Sequence, residues 1–175
     1  MQADLSPVIA ATAQWLHRAF PASGGALASA LCEVQARQAV TVAAWLRYPT
    51  EMDVALVGIA GPGGSARLDR VAGVHTVLDD EEDAHAWRTW VDEVVASWAA
   101  CLLADPELAG RAVAALADGV HTDGSPAGFR RLLAPDDSER DAAALLRHPD
   151  LVAPVAELHQ AQLTDRLAPG RTLIG

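Results

Sequence analysis

Val40-Thr41-Val42-Ala43-Ala44-Trp45-Leu46-Arg47-Tyr48-Pro49-Thr50-Glu51-Met52-Asp53-Val54-Ala55-Leu56-Val57-Gly58-Ile59-Ala60 is the stretch on which the fold turns. β-Branched residues cluster at its start, Tyr48-Pro49-Thr50-Glu51 reads as a turn, and Asp53 to Ile59 is apolar at odd and even positions alike. Residues of that kind on both sides of a Pro turn predict a strand pair over 39–48 and 52–60. The second strand, apolar on both faces, would be central and covered. Residues 26–36 read as a further strand. So do 66–78, with Leu68, Arg70, Val74, Thr76 and Val77. A competing pattern exists. Leu27, Leu31, Val34, Val42, Trp45 and Leu46 approximate helical spacing, and one helix over 26–48 would make the chain all-α.

The flanks read as helices. Ser6-Pro7 suits a helix start, with Ser as cap and Pro at the first helical position, where its missing N–H costs nothing. Leu5, Val8, Ile9, Thr12, Trp15, Leu16 and Phe20 then share a face, and Pro21 with Gly24-Gly25 ends it. Asp79 to Asp83 opens a long helix over 81–104, since carboxylates in a first turn complement the helix dipole. Its stripe is Trp87, Val91, Val94, Trp98, Cys101 and Leu102, widened by Trp90 and Val95. Asp105-Pro106, Ser125-Pro126, Asp136-Asp137 and Asp150 each start a further helix. The predicted fold is α+β: an N-terminal helix, a three- to four-stranded antiparallel sheet, a long helix and a helical C-terminal region, with all-α as the alternative. Residues 1–104 form the core and 105–175 the helical region packed on it, in a single compact domain.

Composition narrows the function classes. The 175 residues carry 13 Lys+Arg against 23 Asp+Glu, a net charge of −10. All 13 cations are Arg, and about a fifth of the chain is Ala, the bias of a high-GC coding sequence of actinobacterial type. The acidic balance counts against nucleic acid as a partner. Met1-Gln2-Ala3-Asp4 is no secretory signal, and the longest apolar stretch falls short of the ~20 residues a membrane span needs. A soluble cytoplasmic protein with Cys32 and Cys101 as free thiols is expected.

Chemical signatures are weak. Gly61-Pro62-Gly63-Gly64-Ser65 has the look of a phosphate-binding loop. Ala66, Arg67 and Leu68 stand where the second Gly, the Lys and the hydroxyl residue should be, so it reads as a turn between strands. His17, His75, His85, His121, His148 and His159 form no metal-ligand spacing, and no metal or cofactor is expected. Cys101 falls on an apolar stripe and Ser65 lacks a nucleophile elbow. The acidic run at 79–83 lacks the spacing of a calcium loop. Arg130-Arg131 is expected to pair with Asp136 and Asp137.

Five Trp beside two Phe and one Tyr is a surplus. Trp87, Trp90 and Trp98 are the interface or pocket candidates, Trp90 above all, because it is offset from the stripe. The first expectation is a non-enzymatic interaction module: a small acidic adaptor, chaperone-like or assembly protein, with a protein partner or itself as a homodimer. In outline it resembles small acidic α+β secretion chaperones, an analogy of fold alone. The alternative is a small-molecule-binding protein or small enzyme of specialised metabolism. Its Trp-lined pocket would lie between sheet and long helix, with His75, His85 and Asp53 as acid/base groups.

Overall fold

The computed structural model describes residues 4–74, 82–117, 119–121 and 126–170. Helices account for all regular structure among them: α1 (Ser6–Ala19), α2 (Gly25–Arg47), α3 (Glu51–Ala60), α4 (Ala66–Ala72), α5 (Glu93–Ala104), α6 (Pro106–Ala115), α7 (Arg130–Leu133), α8 (Asp137–Ala142), α9 (Pro149–Ala156) and α10 (Gln160–Arg166). Two 3-10 segments, Glu82–Trp90 and Pro126–Phe129, precede α5 and α7.

The sheet is therefore overturned and the all-α alternative fits. The expected strands 26–36 and 39–48 are one 23-residue helix, α2. The strand 52–60 is α3, and the described part of 66–78 is mostly α4. Alanine is the physical reason. The buried positions of α2 are Cys32, Gln35, Ala36, Ala39, Val40, Val42, Ala43, Ala44 and Leu46. They recur every three or four residues, but a scan for large apolar side chains passes over the Ala. Ala is also the strongest helix former, and it outweighs the few β-branched neighbours. The analogy with α+β chaperones falls with the sheet.

The turn at Pro49 is a helix start. Thr50 caps α3: its Oγ1 accepts from the Asp53 N–H at 3.1 Å, and the Asp53 carboxylate accepts from the Thr50 N–H at 3.1 Å. That reciprocal box nucleates a helix directly after the Pro. Gly61, at φ +73°, closes α3 in a conformation that favours glycine. The Gly61–Ser65 loop thus joins two helices, and the strand a phosphate-binding loop requires before it is absent.

The long helix over 81–104 is likewise corrected. Asp92 takes an extended conformation, and its side chain accepts from the Val95 N–H at 3.0 Å, so α5 starts there. The apolar stripe runs across this break and conceals it. Asp79 to Glu81 lie outside the described residues. α1 begins where expected, but Ser6 does not cap it; Leu5 stands at the N-cap and Asp4 accepts from the Ser6 N–H at 2.9 Å. The helix expected from Asp150 onward is two, α9 and α10. Arg130 and Arg131 reach Glu139 at 2.7 and 3.0 Å, not Asp136 or Asp137.

α2 and α5 form the central pair. All nine residues from Val95 to Leu103 are buried, as befits a helix covered on every side. α1 packs on one flank of α2, α7 and α8 on another, and α9 against α5. One hydrophobic cluster runs from Leu5 through Leu163, spanning both the 1–104 and 105–170 segments. Among the described residues no helix is long and apolar enough to cross a membrane.

A buried polar knot ties the periphery to α2. Arg147 donates to Gln35 Oε1 at 2.5 Å and to the carbonyls of Arg131 at 2.8 Å and Leu132 at 3.2 Å, with Leu103 O at 3.5 Å. Its guanidinium thus meets carbonyls that the ends of α5 and α7 leave without helical partners. Gln35 in turn donates to Glu139 O at 2.6 Å. Burial pulls the Arg147 pKa down from its usual value.

Candidate functional site

The corner between α2 and α3 is held from several sides. Tyr48 donates its hydroxyl proton to Asp92, the cap of α5. Burial, then the Asp92 charge, push the Tyr48 pKa well above the phenol range. His121 Nε2–H donates to Tyr48 O at 2.9 Å, and its ring stacks on Trp45 at 5.6 Å. On the other side, Arg166 Nε donates to Leu46 O at 3.2 Å, which satisfies a carbonyl at the end of α2.

The α9–α10 junction is anchored to α5. Trp98 Nε1–H donates to His159 O at 3.1 Å, the His159 N–H to Ser97 Oγ at 3.0 Å, and Ser97 Oγ–H to Ala156 O at 2.8 Å. His159 Nε2 lies 2.7 Å from Glu93 Oε1. Between this junction and the α2–α3 corner lies a cavity of about 330 Å³. Pro49 and the nearly buried Trp98 supply apolar wall, the fully buried Leu46 borders the space without an open side chain, and Arg47, Asp53, Gln162, Asp165 and Arg166 bring charge and an amide.

Two residues singled out in the sequence, Trp98 and Asp53, meet in this cavity. Their neighbourhood differs from the expected one, because the described residues form no sheet for a pocket to lie against. Trp98 is 3% exposed. Asp53 Oδ2 accepts from Thr50 N–H and from Thr50 Oγ1–H at 2.6 Å, while Oδ1 has no hydrogen-bond partner among the described residues.

The other candidates lie elsewhere. Trp87, Trp90 and His85 belong to the 3-10 segment packed against α1 and do not line the cavity. The guanidinium carbons of Arg18 and Arg88 lie 5.3 and 5.2 Å from the Trp87 ring centroid. Arg88 also pairs with Asp69, which accepts from Trp15 Nε1–H at 2.8 Å. His85 Nδ1 and Trp87 Nε1 are shielded and have no partner among the described residues. His75 lies outside the described residues. Trp90, expected at an interface, is half-buried and packs against the core.

Cys32 and Cys101 are free and buried. Burial pushes both thiols up to about 11, so neither is a thiolate nucleophile near neutral pH. Among the described residues no three His, Cys, Asp or Glu side chains converge as metal ligands would.

A second feature was missed in the sequence. Met52, Leu56 and Ile59, on the outward face of α3, are 69, 56 and 85% exposed. The inner face of the same helix buries Val54 and Val57. Apolar residues at 52, 56 and 59 follow the 4–3 alternation of a helix-pairing seam. That signal was present but was absorbed into the strand reading of the same run. The comparisons give no relative to set beside these features: the chain matches no protein-family model, no curated protein and no solved structure.

Proposed function

We propose that this chain is a non-enzymatic interaction protein, and that its docking surface is the outward face of α3, paired with the same face of a second copy. One observation carries the reading. Three large apolar side chains stand in line on a peripheral helix whose inner face is already buried. Such a contiguous exposed stripe marks an interaction site more often than scattered apolar residues do.

The chemistry of the stripe favours a second copy. The only charges on α3 are Glu51 and Asp53, both in its first turn, and the rest of the helix is uncharged. Antiparallel pairing about a two-fold axis places Leu56 near its counterpart and Met52 near Ile59. It also separates the two acidic first turns. Parallel pairing would stack them. Ala55, Gly58 and Ala60 flank the seam and let two backbones approach closely. Isologous two-fold contacts are the commonest in soluble oligomers.

Area sets the strength. The three side chains expose on the order of 400 Å² per copy, so the seam alone falls below the ~1,200 Å² of lasting interfaces. A dimer with Kd of roughly 10–100 µM follows, about −5.5 to −7 kcal/mol. Each copy carries −10, so screening by added salt should tighten the dimer. Sedimentation equilibrium across that concentration range tests the reading. Reversible dimerisation that Leu56→Glu abolishes is the expected result. A wild-type chain that stays monomeric at every concentration and salt overturns it, as does a dimer that Leu56→Glu leaves intact.

A further inference from the structure

The cavity between the α2–α3 corner and α10 carries an inference independent of the α3 seam. Its wall combines charges of both signs with an apolar side. Arg47 makes no ion pair with a carboxylate among the described residues; its guanidinium carbon lies 5.6 Å from the Tyr48 ring centroid. Asp53, on the same wall, keeps Oδ1 open while its other oxygen is held by Thr50. A cation and a carboxylate that line one cavity without pairing with each other are a template for a molecule bearing both opposite charges. At about 330 Å³ the space is at the small end of the ~300–1,000 Å³ typical of ligand sites.

We propose that this cavity binds a small amino-carboxylate zwitterion. Arg47 receives the carboxylate, Asp53 Oδ1 receives the ammonium, and Pro49 with the edge of Trp98 faces the hydrocarbon part. Gln162 contributes an amide that can serve either end. Rigidity on the Asp53 side comes from the capping box, and on the Trp98 side from the indole bond to His159 O. A monocarboxylate or a simple amine satisfies one charge and leaves the other solvated, so each should bind more weakly.

The experiment is a titration of the ¹⁵N-labelled full chain followed by NMR. The Trp98 indole signal, assigned by its loss in Trp98→Phe, is the reporter, together with the Arg47 and Asp53 amides. The probes are L-leucine and 4-aminobutanoate, which differ in charge spacing, with 4-methylpentanoate, 3-methylbutylamine, butanoate and butylamine as their half-charged analogues. The expected result is saturable shifts at these three positions with at least one zwitterion, about tenfold tighter than with its own analogues. Arg47→Gln and Asp53→Asn should each weaken that binding by a similar factor. Asn keeps an oxygen for the Thr50 bonds, and an unchanged spectrum elsewhere checks the fold. The proposal is overturned if neither zwitterion gives saturable shifts, if the half-charged analogues bind equally well, or if both variants bind as the wild type does. Since Leu56→Glu leaves this cavity's lining intact, the titration and the sedimentation experiment fail or succeed separately.

Discussion

Replacing Arg147 by Met tests whether the buried knot is as consequential as its geometry implies. Arg147 makes three firm hydrogen bonds, at 2.5, 2.8 and 3.2 Å. Each contributes about 1 kcal/mol net, and Gln35 Oε1, in a fully buried side chain, would lose its donor at a further ~1–3 kcal/mol. Relief from holding a charge in a partly buried place offsets some of this. The expected loss for Arg147→Met is about 3–4 kcal/mol, or roughly 10 °C in Tm for a chain of this length. Gln35→Met removes the same central bond from the other side and strands the Arg147 Nε–H, an expected loss of ~2–3 kcal/mol. The double variant should fall short of the sum by about 1–2 kcal/mol, because the shared bond is counted once. Urea unfolding monitored by circular dichroism at 222 nm, with slopes compared to exclude a changed unfolded state, measures all four corners. Arg147→Met within ~0.5 kcal/mol of wild type, or strict additivity in the double variant, would refute the reasoning.

Other outcomes follow from the same geometry. Cys32 and Cys101, both held near 11, should react slowly with Ellman's reagent in the folded chain at pH 8 and promptly in denaturant; prompt reaction in the native protein would contradict their burial. Their contribution to pH dependence has a definite sign: stability is intact below about 9 and falls as pH rises toward about 11, because the unfolded chain sheds these protons first. Glu139, whose pKa is held down chiefly by the hydrogen bond from Arg130, acts at the opposite end. Its contribution is present above the ordinary carboxylate range and lost as pH falls through its lowered value, so Glu139→Gln should flatten the acid limb of a stability–pH profile. Thr50→Val removes the cap of a short peripheral helix at a cost of about 1 kcal/mol. Hydrogen exchange should quicken in Glu51–Ala60 and not in α5; a uniform rise across the chain would argue that α3 opens only with the whole fold.

Helix punctuation was readable where it was explicit. Ser6-Pro7, Asp105-Pro106 and Asp136-Asp137 mark helix starts that the structure contains. The middle of the chain misled because its core is lined by Ala, whose periodicity is as real as that of Leu but carries little weight in a hydropathy scan. Thr50-Glu51-Met52-Asp53 had the spacing of a capping box, and giving it precedence over the neighbouring Val residues would have turned the strand pair into a helical corner. Asp53 and Trp98 were singled out for a sheet-backed pocket and do share a cavity, though helices build it. Arg47, Gln162 and Arg166 could not be joined to them from sequence. That requires knowing that α10 returns to the end of α2, a contact about 120 residues apart along the chain.

The distance along the chain between α2 and α5 has a consequence for synthesis. Its chief partner, α5, ends about 57 residues after Arg47, so at ~5–20 residues per second the ribosome completes that partner some 3–11 s later. Among the described residues α1 is the element before α2 that packs closely on it, and the face that will meet α5 stays open in that interval. Because four of the nine buried positions of α2 are Ala, the nascent helix presents less greasy surface than a Leu-lined one would, and the same Ala residues favour the helical backbone while it waits. The same small side chains that hide the core from a reader of the sequence keep the unfinished protein from clinging to its neighbours.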